Sequence, residues 1–304
     1  MNAPRSQRVE VNGWVIFDKP VGMTSTRAVA LLKRLFNAKK AGHAGTLDPL
    51  ASGLLPIAFG EATKTVPFVQ EGEKAYRFTV QWGAETDSDD SDGTVTRRTD
   101  RSPSAAEIAA ALPAFTGTIM QVPPAFSAIK INGERAYDLA RDGEKVELVA
   151  RPVTIRQLQL VEVIGSQAVL EARCGKGTYV RALARDLGRV LGCFGHVTAL
   201  RRTRVGPFEE IDSVSLSALE ETASEEADAR RHLLSVEAGL SEVVCVVVDR
   251  DAAARLRRGQ PLLLRGRDAP ATGMAYAACG GVAVAFGPVD GGELVPSRVF
   301  NLPF

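Results

Sequence analysis

Several parts of the chain have the alternation of apolar and polar residues that is typical of β-strands. Residues 13–18 form a short apolar run, and residues 74–82 alternate between polar and apolar side chains. Residues 153–163 and 167–174 are rich in β-branched residues and are separated by a Gly-Ser pair, so they predict a hairpin.

Helical spacing of apolar residues recurs between these strands. Ser25 is a suitable N-cap for a helix from Thr26 to about Phe36. A second helix begins at Thr178 and ends at Gly192, and its predicted apolar positions are Val180, Leu183, Leu187, Val190 and Leu191. Three further helices are predicted over residues 104–112, 135–142 and 215–235.

Two segments lack a regular pattern. Residues 37–64 are rich in Gly, Ala and Pro and are predicted to form a loop with brief regular pieces. The acidic residues 85–92 follow the strand at 74–82 and are predicted to form an exposed loop.

The composition changes near residue 240. Beyond it, short segments rich in Val and Leu are separated by Gly-rich turns, which is typical of a small β-barrel. We therefore expect two domains, residues 1–240 and residues 241–304.

The overall composition is that of a soluble globular protein, with 304 residues, 45% of them hydrophobic and 24% charged. No apolar run reaches the roughly 18 residues that a membrane span needs, and the polar N-terminus is unlike a signal peptide. A cytoplasmic location is expected. The four cysteines are Cys174, Cys193, Cys245 and Cys279. They form no CxxC motif, so we expect buried, reduced thiols rather than a zinc or redox site.

Charge is segregated along the chain, although the net charge is only +1. Basic residues are concentrated in residues 27–40 and 173–204, and acidic residues in 85–92 and 220–228. Such a distribution can bind a polyanion, but solvated helix faces would explain it equally well.

Two segments carry candidate chemistry. In residues 42–64, Asp48 is the only carboxylate before Glu61, and it acts either as a chemical group or as a turn cap before Pro49. In residues 175–188, Arg181 lies in the first turn of the predicted helix, where the helix dipole disfavours a cation. Arg181 therefore needs an acidic partner, unless it simply extends into solvent.

Other catalytic motifs are excluded by inspection. Residues 60–65 lack the glycine that a phosphate-binding loop has before its lysine, and no GxGxxG motif indicates a dinucleotide cofactor. His43, His196 and His232 form no HExxH pattern, and no GxSxG motif occurs.

The segment GHAGTLDPLASGLLPIAFGEATK closely resembles the catalytic motif of the TruB-type tRNA pseudouridine synthases. The resemblance continues, in the family's order, in DKPVGMTS, in QVPPAFSAIKINGERAYDLAR and in GTYVRALARDLG. It covers about residues 12–210. Residues 243–304 show a weaker resemblance to the family's PUA-like RNA-binding barrel.

The resemblance implies both a fold and a reaction. The implied fold is α/β (α+β), with a mixed, mostly antiparallel sheet flanked by helices and a small C-terminal PUA-like barrel. The implied reaction converts uridine 55 in the T loop of tRNA to pseudouridine. No atoms are gained or lost, so neither a cofactor nor a metal is expected. A stand-alone monomer that acts on tRNA, without an obligate protein partner or a membrane, is the implied form.

The resemblance also implies roles for nine residues. Asp48 corresponds to the nucleophile, Arg181 to its ion-pair partner, and Tyr76 to the tyrosine that stacks on the target base. The substrate-binding positions of the family correspond to His43, Lys19, Pro20, Lys64, Tyr179 and Leu200. His43 would occupy the space of the flipped base and Leu200 would form an apolar wall. For Tyr76 and Leu200, ordinary core packing is the alternative.

Two other functions compete with this one. An RNA chaperone that had kept the fold but lost turnover would have substitutions at Asp48, Arg181 or Tyr76, yet all three residues are present. A synthase that acts within a guide-RNA particle would carry different extensions.

Overall fold

The computed structural model describes residues 7–127, 130–131, 134–135, 148–224, 229–264 and 270–303. Its α-helices are α1 (Ser25–Leu35), α2 (Val66–Glu71), α3 (Ala105–Ala111), α4 (Val180–Val190), α5 (Leu216–Ser224) and α6 (Arg250–Arg257). Short 3₁₀ helices cover Gly60–Lys64, Leu112–Phe115, Glu210–Asp212, Ala229–His232 and Val236–Leu240.

The strands before the C-terminal region are β1 (Gly13–Lys19), β2 (Ala41–His43), β3 (Ala51–Phe59), β4 (Lys74–Trp82), β5 (Ala84–Thr86), β6 (Val95–Arg98), β7 (Gly117–Gln121), β8 (Lys130–Ile131), β9 (Glu134–Arg135), β10 (Arg151–Ile164), β11 (Gln167–Cys174), β12 (Gly195–Val205) and β13 (Phe208–Glu209). The C-terminal strands are β14 (Val244–Val247), β15 (Leu262–Leu263), β16 (Gly273–Cys279), β17 (Val282–Asp290), β18 (Glu293–Leu294) and β19 (Arg298–Val299).

A mixed sheet forms the centre of the molecule. Within the described residues it has nine strands, in the order β1-β3-β12-β4-β11-β10-β7, with β2 beside β3 and β13 beside β12. The pairing of β3 with β12 is parallel, and the other pairings in this sheet are antiparallel. The predicted mixed, mostly antiparallel sheet is confirmed.

The strands predicted from alternation are present. In β4, Phe78, Val80 and Trp82 are buried, as the alternating pattern requires. Strands β10 and β11 form the predicted antiparallel hairpin, and Gly165 supplies the positive φ of +58° at its turn.

The prediction that residues 37–64 form a loop was wrong in one important part. Residues 51–59 form the nine-residue strand β3 between β1 and β12. Its side chains are buried almost continuously, because both faces of a central strand are covered. Gly53 and Pro56 made this segment look like a loop, because both residues are uncommon inside strands. The Pro56 carbonyl accepts a hydrogen bond from the Ala44 amide at 2.9 Å.

The helices differ from the predictions mainly at their ends. Thr24, not Ser25, caps α1 by accepting a hydrogen bond from the Arg27 amide at 3.1 Å. Helix α4 begins two residues later than predicted, and its Val190 is 66% exposed rather than part of the apolar face. Helix α3 is capped by Ser104 and has a full capping box.

Two predicted helices near the gaps in the described chain have other outcomes. The predicted helix 135–142 lies outside the described residues, except for Arg135 in β9. The predicted helix 215–235 is not one element, because α5 covers its first part and a 3₁₀ helix covers Ala229–His232.

One hydrophobic core lies between the central sheet and helices α1 and α4. Ala28 and Leu32 of α1 and Leu183 and Leu187 of α4 are buried in it together with side chains of the sheet. The prediction that all four cysteines are buried was wrong for Cys245, which is exposed on β14.

The C-terminal region contains a second sheet. Within the described residues it has six strands, in the order β14-β16-β17-β18-β15, with β19 beside β17. Helix α6, which the strand-rich pattern did not predict, packs on this sheet and is capped by Asp249.

The two sheets share a further core. Phe286 of β17 packs edge-on against Phe68 of α2, with ring centroids 4.9 Å apart, and it also contacts Phe300. Trp14 and Phe208, whose centroids are 5.4 Å apart, belong to the same buried cluster. The chain on both sides of residue 240 therefore contributes to one apolar core. In the described part of the chain, no helix is long and apolar enough to cross a membrane.

Candidate active site

The loop between β2 and β3 carries Asp48 and is held at several points. The Leu47 amide donates to Ser25 Oγ at 2.9 Å, and the Ser25 hydroxyl donates back to the Leu47 carbonyl at 3.0 Å. The Ala51 amide closes the turn on the Asp48 carbonyl at 3.1 Å. Ser25 was predicted to be a helix cap, but its side chain instead holds the backbone of Leu47, the residue before Asp48.

Arg181 forms an ion pair with Asp48. Arg181 Nη2 lies 2.9 Å from Asp48 Oδ2, and Arg181 Nη1 lies 3.2 Å from Asp90 Oδ2. The Arg181 side chain is 6% exposed, whereas Asp48 is 35% exposed. The expectation that Arg181, at a helix N-terminus, needs an acidic partner is confirmed. The exposed fraction of Asp48 leaves its carboxylate accessible to a substrate.

The prediction that residues 85–92 form an exposed acidic loop was wrong for most of the segment, although Asp87 and Asp92 are exposed. Glu85, Asp89 and Asp90 are each about 5% exposed or less. They face three arginines spaced one helical turn apart on α4: Arg181 pairs with Asp90, Arg185 with Asp89, and Arg189 with Glu85. The four-residue spacing of these arginines was the available signal, because it puts their side chains on one face of the helix.

Burial and charge oppose each other in this network. Burial raises the pKa of Asp89 to about 6, although the charges of Arg185 and Arg181 act against the shift. Burial also raises the pKa of Asp90, with Ser88 and Arg181 opposing. For Glu85, burial raises the pKa, but the hydrogen bonds and charge of Arg189 outweigh it, so the pKa is lowered overall.

Tyr76 and Leu200 lie on adjacent strands of the central sheet. Tyr76 on β4 is half-buried at the edge of the first core, and Leu200 on β12 is 7% exposed. Burial raises the pKa of Tyr76 to about 12, while the charge and hydrogen bond of Arg202 oppose the shift. The phenol therefore stays protonated at neutral pH.

Lys19 is completely buried beside this loop. Its ammonium donates to the carbonyls of Pro20 at 3.0 Å and Met23 at 2.8 Å. Burial lowers the pKa of Lys19 to about 8; the charge of Asp48 opposes this shift and the charge of Arg202 adds to it. Pro20 is exposed.

His43 lies on β2, a few residues before Asp48. Its Nδ1 is buried and has no hydrogen-bond partner. Burial, and then the charge of Arg202, lowers the pKa of His43. A neutral imidazole with an unpaired nitrogen fits a side chain whose partner arrives with a ligand.

Lys64 and Tyr179 have partners of their own. Lys64 Nζ pairs with Glu61 at 2.7 Å and donates to the Val299 carbonyl at 2.8 Å, so it connects the 3₁₀ helix after β3 to the C-terminal region. Tyr179 is the N-cap residue of α4, and its backbone N–H and carbonyl both bond the Gln121 side chain. Tyr179 thus positions the helix end that carries Arg181.

A cavity of about 520 Å³ adjoins the Asp48 loop. Pro49, Leu50 and Leu200 line it, whereas Asp48, Arg181 and Tyr76 do not. The carboxylate of the ion pair, which is the group that can react, therefore lies outside the lining of this cavity.

The arrangement provides an accessible carboxylate that is oriented by a buried arginine. Such a pair orients the carboxylate, as nucleophilic or general-base chemistry at a sugar or base requires. Sequence reasoning found Asp48 and Arg181. It missed Asp90, which shares Arg181, and Arg202, which bonds the backbone of the Asp48 loop.

Family models and individual proteins match this chain. Residues 33–180 match the TruB family pseudouridylate synthase N-terminal domain, and residues 181–241 match the tRNA pseudouridylate synthase B C-terminal domain. The chain is 59% identical to tRNA pseudouridine synthase B of Rhodopseudomonas palustris over 98% of this chain and 83% of that protein. It is 55% identical to the protein of the same name from Chelativorans sp., over 96% of each chain.

Solved structures share the fold. A chain of an archaeal box H/ACA sRNP complex superimposes with a TM-score of 0.73 at 23% identity, covering 98% of this chain and 88% of that one. A chain of an H/ACA RNP bound to a substrate RNA also gives 0.73 at 23% identity, covering 96% and 85%. The family models and the relatives at 55–59% identity show that the chain belongs to the TruB family of tRNA pseudouridine synthases, which are isomerases.

Proposed function

We propose that this enzyme isomerises uridine 55 in the T loop of tRNA and that Asp48 is its nucleophile. The observation that carries the proposal is the 2.9 Å pair between the accessible Asp48 carboxylate and the buried Arg181 guanidinium. A turn cap would need no such partner. The reaction breaks the N1–C1′ bond, turns the uracil and rejoins it through C5, so reactant and product contain the same atoms.

The carboxylate acts in the half of the reaction that breaks the glycosidic bond. Attack at C1′, addition to C6 and removal of the 2′ proton all need an ionised carboxylate held against the nucleotide. Arg181 holds the Asp48 carboxylate through its ion pair, and Asp90 holds Arg181 from its other side. In each route the residues of this chain orient the carboxylate and exclude water.

Access to the uridine requires base flipping, because a folded T loop buries its bases. In our proposal the flipped base stacks on Tyr76 and contacts Leu200, and His43 takes the vacated space. The unpaired Nδ1 of His43 supports this role, since it lacks a partner in the free protein.

The remaining assigned positions act around the RNA. We place Lys19 and Pro20 at the turn that supports the Asp48 loop. Tyr179 supports the end of α4, and Lys64 joins the site to the C-terminal region. Exposed basic residues of the 27–40 segment, Arg27, Arg34 and Lys40, are available to RNA phosphates.

The C-terminal region completes the proposed enzyme. We assign residues 1–240 to catalysis and residues 241–304 to a PUA-like RNA-binding barrel. Arg255 of α6 and Arg258, the C-cap residue of this helix, are exposed and available to phosphate. The enzyme acts as a monomer in the cytoplasm, without a protein partner or a cofactor.

The test is pseudouridine mapping on an unmodified tRNA transcript with wild-type protein and with Asp48→Asn. Wild type should modify position 55, and a transcript with cytidine at that position should stay unmodified. Asp48→Asn should lose several orders of magnitude in rate, on the scale seen for other nucleophiles, but keep RNA binding. The matched control is Asp18→Asn, because Asp18 also pairs with an arginine, Arg201, and has a similar exposed fraction of 29%.

Two outcomes would contradict the proposal. Modification at a position other than 55 would contradict the substrate assignment. Activity of Asp48→Asn within about tenfold of wild type would contradict the nucleophile assignment, because loss of a nucleophile costs far more.

A further inference from the structure

Arg202 is the most deeply buried arginine among the residues that surround the Asp48 loop, with 2% of its surface exposed. It lies on β12, and its guanidinium contacts the backbone on both sides of Asp48. Its Nε donates to the Leu54 carbonyl at 2.8 Å, Nη1 to the Thr46 carbonyl at 3.1 Å, and Nη2 to the Gly45 carbonyl at 3.2 Å. One side chain thus holds both ends of the segment that carries the carboxylate.

The chain opposite Arg202 is shaped to accept it. In the parallel pairing of β12 with β3, Arg202 stands opposite Gly53. Gly53 has a φ of +98°, and a Cβ there would lie 2.2 Å from the Arg202 carbonyl oxygen. Gly45, with a φ of +110°, presents its carbonyl to the guanidinium. The two strands can approach this closely only because glycine occupies position 53.

The charge of Arg202 has no carboxylate partner in the ion pairs of the described chain. Its neighbour Arg201, by contrast, pairs with Asp18 and with Glu210. Burial is the main cause of the lowered pKa values of Lys19, His43 and Lys74, and the charge of Arg202 lowers these pKa values further. The charge of Arg202 therefore acts on Lys19 and His43 beside the loop and on Lys74 at the start of β4.

We propose that Arg202 is a positioning residue for the isomerisation, because its three-pronged bonding to Gly45, Thr46 and Leu54 fixes where the Asp48 carboxylate stands. The inference rests on the proposed role of Asp48. The arginine guanidinium is a rigid planar fork whose N–H groups can donate to three separate carbonyls. A lysine ammonium is a compact charge at the end of a flexible chain and cannot reproduce this geometry. A small displacement of a reacting group is enough to reduce turnover strongly.

The experiment compares Arg202→Lys with wild type in single-turnover reactions at saturating tRNA transcript. The rate constant should fall roughly 10- to 100-fold, the scale of a misplacement of about 1 Å. The dissociation constant for the transcript should stay within about threefold, because phosphate contacts supply most of the binding. Arg101→Lys is the control for the exchange itself, because Arg101 pairs with Glu107 on the surface.

A second readout does not depend on activity. Amide hydrogen exchange of peptides covering residues 43–54 should be faster in Arg202→Lys than in wild type, while peptides of β10 and β11 are unchanged. An unchanged rate constant, or unchanged exchange over residues 43–54, would overturn the proposal. So would a proportional loss of RNA binding, which would make Arg202 a binding residue.

The folding of the variant is checked by a melting curve. If Arg202→Lys does not fold, Arg202→Gln, which keeps an amide donor, replaces it under the same criteria. If neither variant folds, the side chain serves the whole fold and the positioning role is rejected. Asp48→Asn is assayed in parallel. Normal activity in that variant would refute the role of Asp48, whereas the exchange measurement would still test whether Arg202 fixes the loop.

Discussion

Arg181 and Arg202 are both buried and both contact the Asp48 loop, but their charges are accommodated differently. Arg181 pairs with two carboxylates, Asp48 and Asp90, whereas Arg202 bonds three backbone carbonyls. Arg181 contacts the carboxylate that we propose to react. Arg202 contacts the backbone of the loop that carries this carboxylate. The comparison indicates that a buried arginine near the proposed catalytic carboxylate can contact either the carboxylate itself or the backbone that carries it.

The largest effect on stability is expected at Arg202. Arg202→Leu removes the donor from three carbonyls at once and should lower the free energy of unfolding by about 3 kcal/mol, at about 1 kcal/mol for each unpaired group. Urea denaturation measures this change. Arg101→Leu, at an exposed ion pair, should cost well under about 1 kcal/mol, and an equal loss in both variants would remove the distinction.

The largest effect on turnover outside Asp48 itself is expected at Arg181. Arg181→Lys keeps the charge but loses the planar fork that reaches both Asp48 and Asp90. The single-turnover rate constant should fall about 10²-fold, as for other displaced catalytic groups. Near-normal turnover would mean that a point charge is sufficient, and the comparison with Arg202 would lose its basis.

A smaller loss is expected from Asp90→Asn. The change keeps the shape of the side chain but removes the charge that holds Arg181 from the side away from Asp48. We expect a decrease of about tenfold in the rate constant, equivalent to about 1.4 kcal/mol. Asp92→Asn, two residues along the same loop, provides the control. An unaffected rate in Asp90→Asn would show that Asp48 and the carbonyls of Ser88 and Phe126 are sufficient to orient Arg181.

The smallest effect concerns the pH dependence of stability at Asp89. Because the folded-state pKa of Asp89, about 6, lies above the ordinary value of 3.8, the folded protein binds a proton more tightly than the unfolded chain. This contribution to stability is present at low pH and is lost as the pH rises through about 6. As the pH rises from 3.8 to about 6, the unfolding free energy of wild type should therefore fall, relative to that of Asp89→Asn, by about 1 kcal/mol per pH unit.

Melting or urea curves at several pH values, taken for both proteins, give this difference directly. A shift in the opposite direction would mean that the ion pair with Arg185 outweighs burial at Asp89. The network along α4 would then stabilise the ionised acid through charge pairing, in contrast to Arg202, whose guanidinium donates to backbone carbonyls.

The sequence by itself determined the strands whose side chains alternate and one half of the site. Strands β4, β10 and β11 follow from local periodicity, because their alternate residues face a core on one side. The motif around Asp48 and the position of Arg181 in the first turn of α4 indicated the pair, since an arginine at a helix N-terminus needs a carboxylate.

Only the tertiary structure decided the rest. Strand β3 lies within a segment rich in glycine and proline, and it is a strand because β1 and β12 cover its edges. Glu85, Asp89 and Asp90 are buried because three arginines, about a hundred residues later in the chain, compensate their charges. Arg202 reaches carbonyls about 150 residues away. Local patterns cannot report such contacts, because the free energy that makes burial of a charge possible comes from a partner that only the fold brings near.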